Sequence, residues 1–221
     1  MSNLLASSFS FKEIFANFSS EWYLYLALGA SLWFVFLSLA LYNEPPRMKL
    51  SNTQKICHVA VLTAICATVN ALTFFPVSYI SISFIATVCA VSGFLYGPKS
   101  AFIIGFMGDL ITAIIFPAGP YNPLIGLASG FMGMIPALVF KKNGNIYMKV
   151  ALSTILTLII CTCGLNTLGL WLVYGMGKKT FIAYLFARLP FQIMMGAANA
   201  FLTALIIRVL IHVLPKNKFR F

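Results

Sequence analysis

The amino-acid sequence predicts an all-α membrane protein, a six-helix bundle preceded by one extra N-terminal transmembrane helix. Three observations carry this expectation. Of the 221 residues, 61% are hydrophobic and 9% charged, whereas charged residues make up about 25% of an ordinary soluble domain. The apolar runs approach the ~20 residues that a helix needs to cross a bilayer, and they lack the alternation of barrel strands. Short turns rich in Pro, Gly and Lys separate them.

Residues 1–21 form an external or interfacial segment, with Phe11, Ile14, Phe15 and Phe18 at helical spacing. The first apolar run is Trp22 to Tyr42. Glu13 and Glu21 precede it and only Lys12 opposes them, unlike a signal peptide, so an uncleaved span is expected over 22–42. Asn43-Glu44-Pro45-Pro46 stops that run, and residues 43–55 make a basic linker carrying Arg47, Lys49 and Lys55. Six further runs follow in residues 56–214: Ile56 to Phe75, Ser81 to Tyr96, Ala101 to Phe116, Leu124 to Phe140, Val150 to Tyr174, and Arg188 to Leu214. Pro190 suits the first turn of the last run, where a missing N–H costs little. Residues 215–221 are a basic tail.

The net charge is +11. Eleven of the Lys and Arg residues fall on one side of this seven-span topology. Only Lys12, Lys178, Lys179 and Arg188 fall on the other. The bias predicts a cytoplasmic C-terminus and an external N-terminus. The basic residues lie singly or in pairs at helix ends, so no nucleic-acid partner is expected. Cys57, Cys66, Cys89, Cys161 and Cys163 lie in or beside apolar runs without metal-ligand spacing, and buried free thiols are expected. His58 and His212 are expected at helix ends near the membrane interface. No paired intramembrane carboxylates, no His/Cys cluster and no nucleotide-binding loop occur, so neither catalysis, nor a metal, nor a cofactor is expected.

The candidate functional residues are few. Asp109 is the only acidic residue after Glu44. A carboxylate at membrane depth costs several kcal/mol unless paired or hydrated, so it marks either a ligand site or a helix-packing hydrogen bond. The stretch Phe116 to Pro123 holds three prolines and one glycine, and offers Tyr121 and Asn122 either to a small-molecule site or to a stiff hairpin. Asn166 and Thr167, flanked by Gly164 and Gly169, are expected to face protein or a cavity. Gln192 and Asn199 are similar but less specific. Arg188 and the Lys178-Lys179 pair attract anions or contact headgroups. Ala60, Ala64, Ala67 and Ala71 recur on one helix face, where small residues admit a second helix, from this chain or from a partner.

Residues 56–214 resemble the six-helix membrane S-component of the energy-coupling factor (ECF) vitamin transporters. The Ala60-x-x-x-Ala64 stripe resembles that family's alanine motif. The stretch from Ser81 to Leu110, with its Gly97-Pro98 turn and Asp109, resembles the second-to-third helix segment. Two pieces are similar to the folate-specific branch: Phe116-Pro-Ala-Gly-Pro-Tyr-Asn-Pro123, and Leu165-Asn166-Thr167 followed by Trp171-Leu-Val-Tyr174-Gly175 with Arg188 downstream. The chain departs from that branch at Asn70-Ala71, where the branch often carries a basic residue, and in its added span 22–42. The resemblance implies a substrate-binding membrane subunit in a prokaryotic plasma membrane, with no catalysis of its own. It would capture a folate-like vitamin through Asp109, Tyr121, Asn122, Asn166, Thr167 and Arg188. It would dock through Ala60, Ala64 and Ala67 on a transmembrane scaffold subunit bound to two ATPase subunits. The alternatives are an S-component for a queuosine precursor, pantothenate or another vitamin, a stand-alone carrier, and a non-transport assembly protein.

Overall fold

A computed structural model describes residues 51–77, 80–116, 121–141, 144–171 and 180–213, together with Ala30 and Met48. The expected span 22–42 and the tail 215–221 therefore lie outside the described residues, Ala30 apart. Five helices among the described residues are long and apolar enough to cross a membrane. They are α1 (Asn52–Ala71), α2 (Ile85–Ile115), α3 (Pro123–Phe140), α4 (Ile146–Leu170) and α5 (Phe181–Val213). The second is two arms joined at Gly97, whose φ of 80° is open to glycine and strained for other residues. Counted by arm there are six helical segments, and the bend falls in the turn expected at Tyr96–Lys99.

Local chemistry sets most boundaries. The α1 helix starts at Asn52, inside the expected linker, because Ser51 and Gln54 form a reciprocal capping box. It ends at Ala71 rather than Phe75. The residues after it form a two-stranded antiparallel hairpin, β1 (Phe74–Val77) with β2 (Ile80–Ile82). That hairpin replaces an expected plain connection. Asn122 caps α3 by accepting from Leu124 N, and Pro123 follows in the first turn. The last helix starts at Phe181, seven residues before the expected start, so Pro190 sits in its interior and not in its first turn. Apolar Phe181–Leu185 is itself helix-forming, and the single missing N–H of Pro190 does not stop a helix of 33 residues.

The two arms of α2 and the α3 helix make the tightest contact. A Cβ at Gly133 would lie 2.6 Å from the Ala101 carbonyl oxygen, and one at Gly93 would lie 2.5 Å from the Gly133 carbonyl oxygen. At Gly108 a Cβ would come 2.8 Å from Cys66 Sγ, which brings α1 onto the same pair. Small residues here let backbones approach, as membrane helices require when no hydrophobic force drives them together. Beyond this contact, Phe94, Tyr96, Phe140, Val150 and Ile207 close the Phe140 end of the bundle, with Met48 packed among them.

The alanine stripe divides. Ala60 and Ala64 are exposed, Ala67 is buried against α2, and Ala71 lies on a cavity wall. The four residues span an arc of about 60° at 100° per residue, and that arc straddles the edge of the α1–α2 contact. Ala67 is therefore internal and is corrected as a docking residue. Cys66, Cys89 and Cys161 are buried as expected, whereas Cys57 is exposed on the outward face of α1 and Cys163 is half-buried.

Candidate functional site

The five helices surround one cavity of about 630 Å³. Asp109, Tyr121, Asn122, Asn166 and Arg188 all line it; Thr167 does not. Residues from four separate apolar runs or their connections thus meet in one place.

Asp109 projects from α2 and is 9% exposed. Its Oδ1 accepts from Asn70 Nδ2 at 2.9 Å and, more distantly, from Ser129 Oγ at 3.5 Å. Its Oδ2 has no hydrogen-bond partner among the described residues and lies 3.4 Å from the Cβ position at Gly126. One oxygen is held and the other is open. The side-chain length of Asn70 at the end of α1 creates this hold, a role that its position alone does not reveal.

Tyr121 stands before the α3 cap. Its hydroxyl is buried without a partner, 2.5 Å from where a Cβ of Gly126 would be. Glycine at 126 leaves the phenol its room. Burial, and then the Asp109 carboxylate, push the phenol well above its ordinary value of 10.0, so it remains a hydrogen-bond donor at neutral pH. Asn122 contributes differently. Its Oδ1 caps α3 and its Nδ2 donates to the Gly169 carbonyl at 2.8 Å. Both ends of the amide are spent on backbone, so Asn122 fastens the connection before α3 to α4.

The opposite wall comes from α4 and α5. Residues Leu158–Asn166 of α4 form a π-helix. Thr167 Oγ1 donates to the Thr162 carbonyl five residues back, at 2.7 Å. The same oxygen accepts from Arg188 Nη1 at 3.1 Å. Thr167 therefore supports Arg188 from outside the cavity lining. Arg188 is 3% exposed, its guanidinium carbon stands 5.9 Å from the Tyr184 ring centre, and its Nε has no partner. No carboxylate pairs with it among the described residues, where Asp109 is the only acid. Asn166 presents a third unpartnered atom, Oδ1.

Buried polar atoms in folded proteins nearly always find partners, and a buried unpaired cation is costlier still. Here three unpartnered atoms, Tyr121 Oη, Asn166 Oδ1 and Arg188 Nε, belong to residues that line one cavity, together with an open carboxylate oxygen. The arrangement fits a ligand carrying hydrogen-bond donors at one end and an anion at the other. Sequence reasoning missed Asn70 and Ser129, which hold Asp109. Asn70 was visible only as a departure from the folate branch.

Residues 54–207 match the family described as ECF transporter, substrate-specific component. The folate transporter FolT of Clostridium novyi (strain NT) is 32% identical over 105 residues, which is 47% of this chain and 59% of that protein. The chain thus matches less than two thirds of that relative's length. The crystal structure of FolT bound with folic acid superposes with a TM-score of 0.62 at 24% identity, covering 77% of this chain and 96% of that one. The S component of a bacterial ECF transporter superposes at 0.61 and 19%, covering 73% and 98%. At these identities the two structures establish a shared fold. The family match, extending over most of the chain, establishes that this protein belongs to the ECF transporter substrate-specific component family.

Proposed function

We propose that this member of the ECF substrate-specific component family captures a folate or related pterin at the outer membrane face for ATP-driven import. The observation that carries the reading is the pairing of two unneutralised charges in one cavity. The open Asp109 Oδ2 suits the N–H donors of an amino-pyrimidinone edge. The Arg188 guanidinium suits a substrate carboxylate. Tyr121 and Asn166 add one donor and one acceptor between them. The likeness to folate transporter sequence supports the same substrate.

The chain has no nucleotide-binding loop. It performs no chemistry of its own, and the energy for import comes from partners. It docks on a transmembrane scaffold subunit bound to two ATPases, through the exposed Ala60 and Ala64 face of α1. The N-terminus is external and the C-terminus cytoplasmic, an orientation that the Lys and Arg bias favours, in the plasma membrane of a prokaryotic cell.

Calorimetry on the purified chain in detergent tests this. Folic acid and 5-formyl-folate are titrated beside riboflavin, thiamine, pantothenate and a queuosine precursor. Saturable binding of a folate alone is expected. Binding of another vitamin in its place would keep the architecture and overturn the substrate.

A further inference from the structure

A second concavity, of about 330 Å³, lies on the membrane-facing side of the bundle between α4 and α5. Ala151, Gly196, Ala197 and Ala200 line it, together with Ile155 and Ile193, each more than half exposed. Small residues between larger apolar ones form the surface into which another helix packs in a bilayer. The groove also borders the substrate cavity. Thr154, Leu158 and Gly196 line both spaces, so the wall between them is one residue thick there.

Two observations point to an occupant. Met48, four residues before α1, is 6% exposed. Its N–H donates to the Leu95 carbonyl at 3.3 Å, and its side chain packs in the cluster containing Val150 and Ile207. Ala200 packs against that same cluster, and Val150 adjoins Ala151 in the chain. Met48 thus shares its packing with the residues at the Val150 and Ala200 end of this groove. The segment that must be accommodated from that point is residues 22–42, a bilayer-length run with no charged residue. The five connecting residues 43–47 reach at most about 17 Å when extended. That tether keeps the near end of the run within reach of Met48 and its cluster, and gives the groove a high effective concentration of this one partner.

We infer that residues 22–42 of this chain pack into the groove between α4 and α5 and back the thin wall of the substrate cavity at Thr154, Leu158 and Gly196. Both the residue-poor wall and the added span are thereby accounted for by one intramolecular contact. The inference does not depend on which vitamin is bound.

Site-directed photo-crosslinking in lipid vesicles tests it on the full chain. A benzophenone amino acid replaces Ile193 in one variant and Ile155 in another, and products are identified by mass spectrometry. Met194, exposed one residue along and turned about 100° from the groove, is the control. The expected result is an intramolecular product joining each groove position to a peptide within residues 22–42, with lipid adducts at Met194. A benzophenone scanned from Leu24 to Leu37 should return products with α4 and α5 at every third or fourth position. Lipid adducts alone at both groove positions would overturn the inference. So would products only with a second chain, or a scan without helical periodicity.

Discussion

The two walls of the substrate cavity are built in opposite ways. On the Asp109 side, α1, α2 and α3 meet at glycine contacts so close that a methyl group at Gly133 or Gly108 would lie within 3 Å of a neighbour. The carboxylate there is oriented by Asn70 and Ser129 from two other helices. On the Arg188 side, α4 carries a π-helix, and a methyl group at Gly164 would meet only the Ile159 carbonyl, at 3.5 Å. The guanidinium there donates to one hydroxyl and faces the Tyr184 ring. A charge held by close-packed backbones stays where it is. A charge on a looser wall can follow its ligand, and the difference suits a site that must both seize a molecule and let it go.

Removing either charge is the strongest way to break the comparison. Truncating one partner of a buried charge pair costs about 2–5 kcal/mol, or thirtyfold and more in affinity. Asp109→Ala and Arg188→Ala should each weaken folate binding by that order in calorimetry. Unchanged affinity in both would remove the ligand role from both residues. If the walls differ as described, Arg188→Lys should retain more binding than Asp109→Asn, because the looser wall can readjust.

Glycine substitutions compare the walls without touching the charges. Gly133→Ala forces a methyl group onto the Ala101 carbonyl and should lower stability by about 1–3 kcal/mol in thermal unfolding. Gly164→Ala, whose Cβ would meet only the Ile159 carbonyl at 3.5 Å, should be neutral or stabilising by up to about 1 kcal/mol. Equal destabilisation at both sites would mean that the walls are equally tight.

Asn122 joins the two walls. Asn122→Ala removes the α3 cap and the bond to Gly169, and should cost about 1–2 kcal/mol of stability. Its effect on affinity should exceed its effect on melting only if the amide reaches the ligand after all. An effect confined to binding, smaller than that of removing either charge, is expected from Asn70→Ala. Losing one hydrogen bond to a carboxylate should weaken folate binding by about 1–2 kcal/mol with little change in melting, because Asn70 is only half-buried.

Much of this was legible in the sequence, for reasons that differ by element. Helix-length apolar runs identify themselves because a bilayer tolerates few alternatives. Gly97-Pro98 announced its bend because only glycine accepts φ near 80° without strain. Asp109 and Arg188 stood out because charge at membrane depth is rare. Other features had no such signature. The hairpin at Phe74–Ile82 is short, and Pro76 speaks against a strand. The start of α5 was masked by Pro190, whose usual place is a first turn. Thr167 and Asn122 were identified as polar groups near the site, but polarity does not say whether a side chain faces a ligand or braces a neighbour. Ala67 shares its spacing with Ala60 and Ala64, and only the position of α2 separates them.

The π-helix in α4 has one more consequence. Such a stretch accommodates residues that a regular helix would have to reject, at more than four residues per turn. Nothing beyond Leu158 is therefore in the rotational phase that the first half of α4 would dictate. The stretch between Leu158 and Asn166 thus holds slack in the chain. Losing one residue there would let it tighten toward α spacing, with Thr167 still beneath Arg188 and the Gly169 carbonyl still at Asn122. The same loss from the regular turns before Leu158 has no slack to draw on, and would turn everything downstream by about 100°.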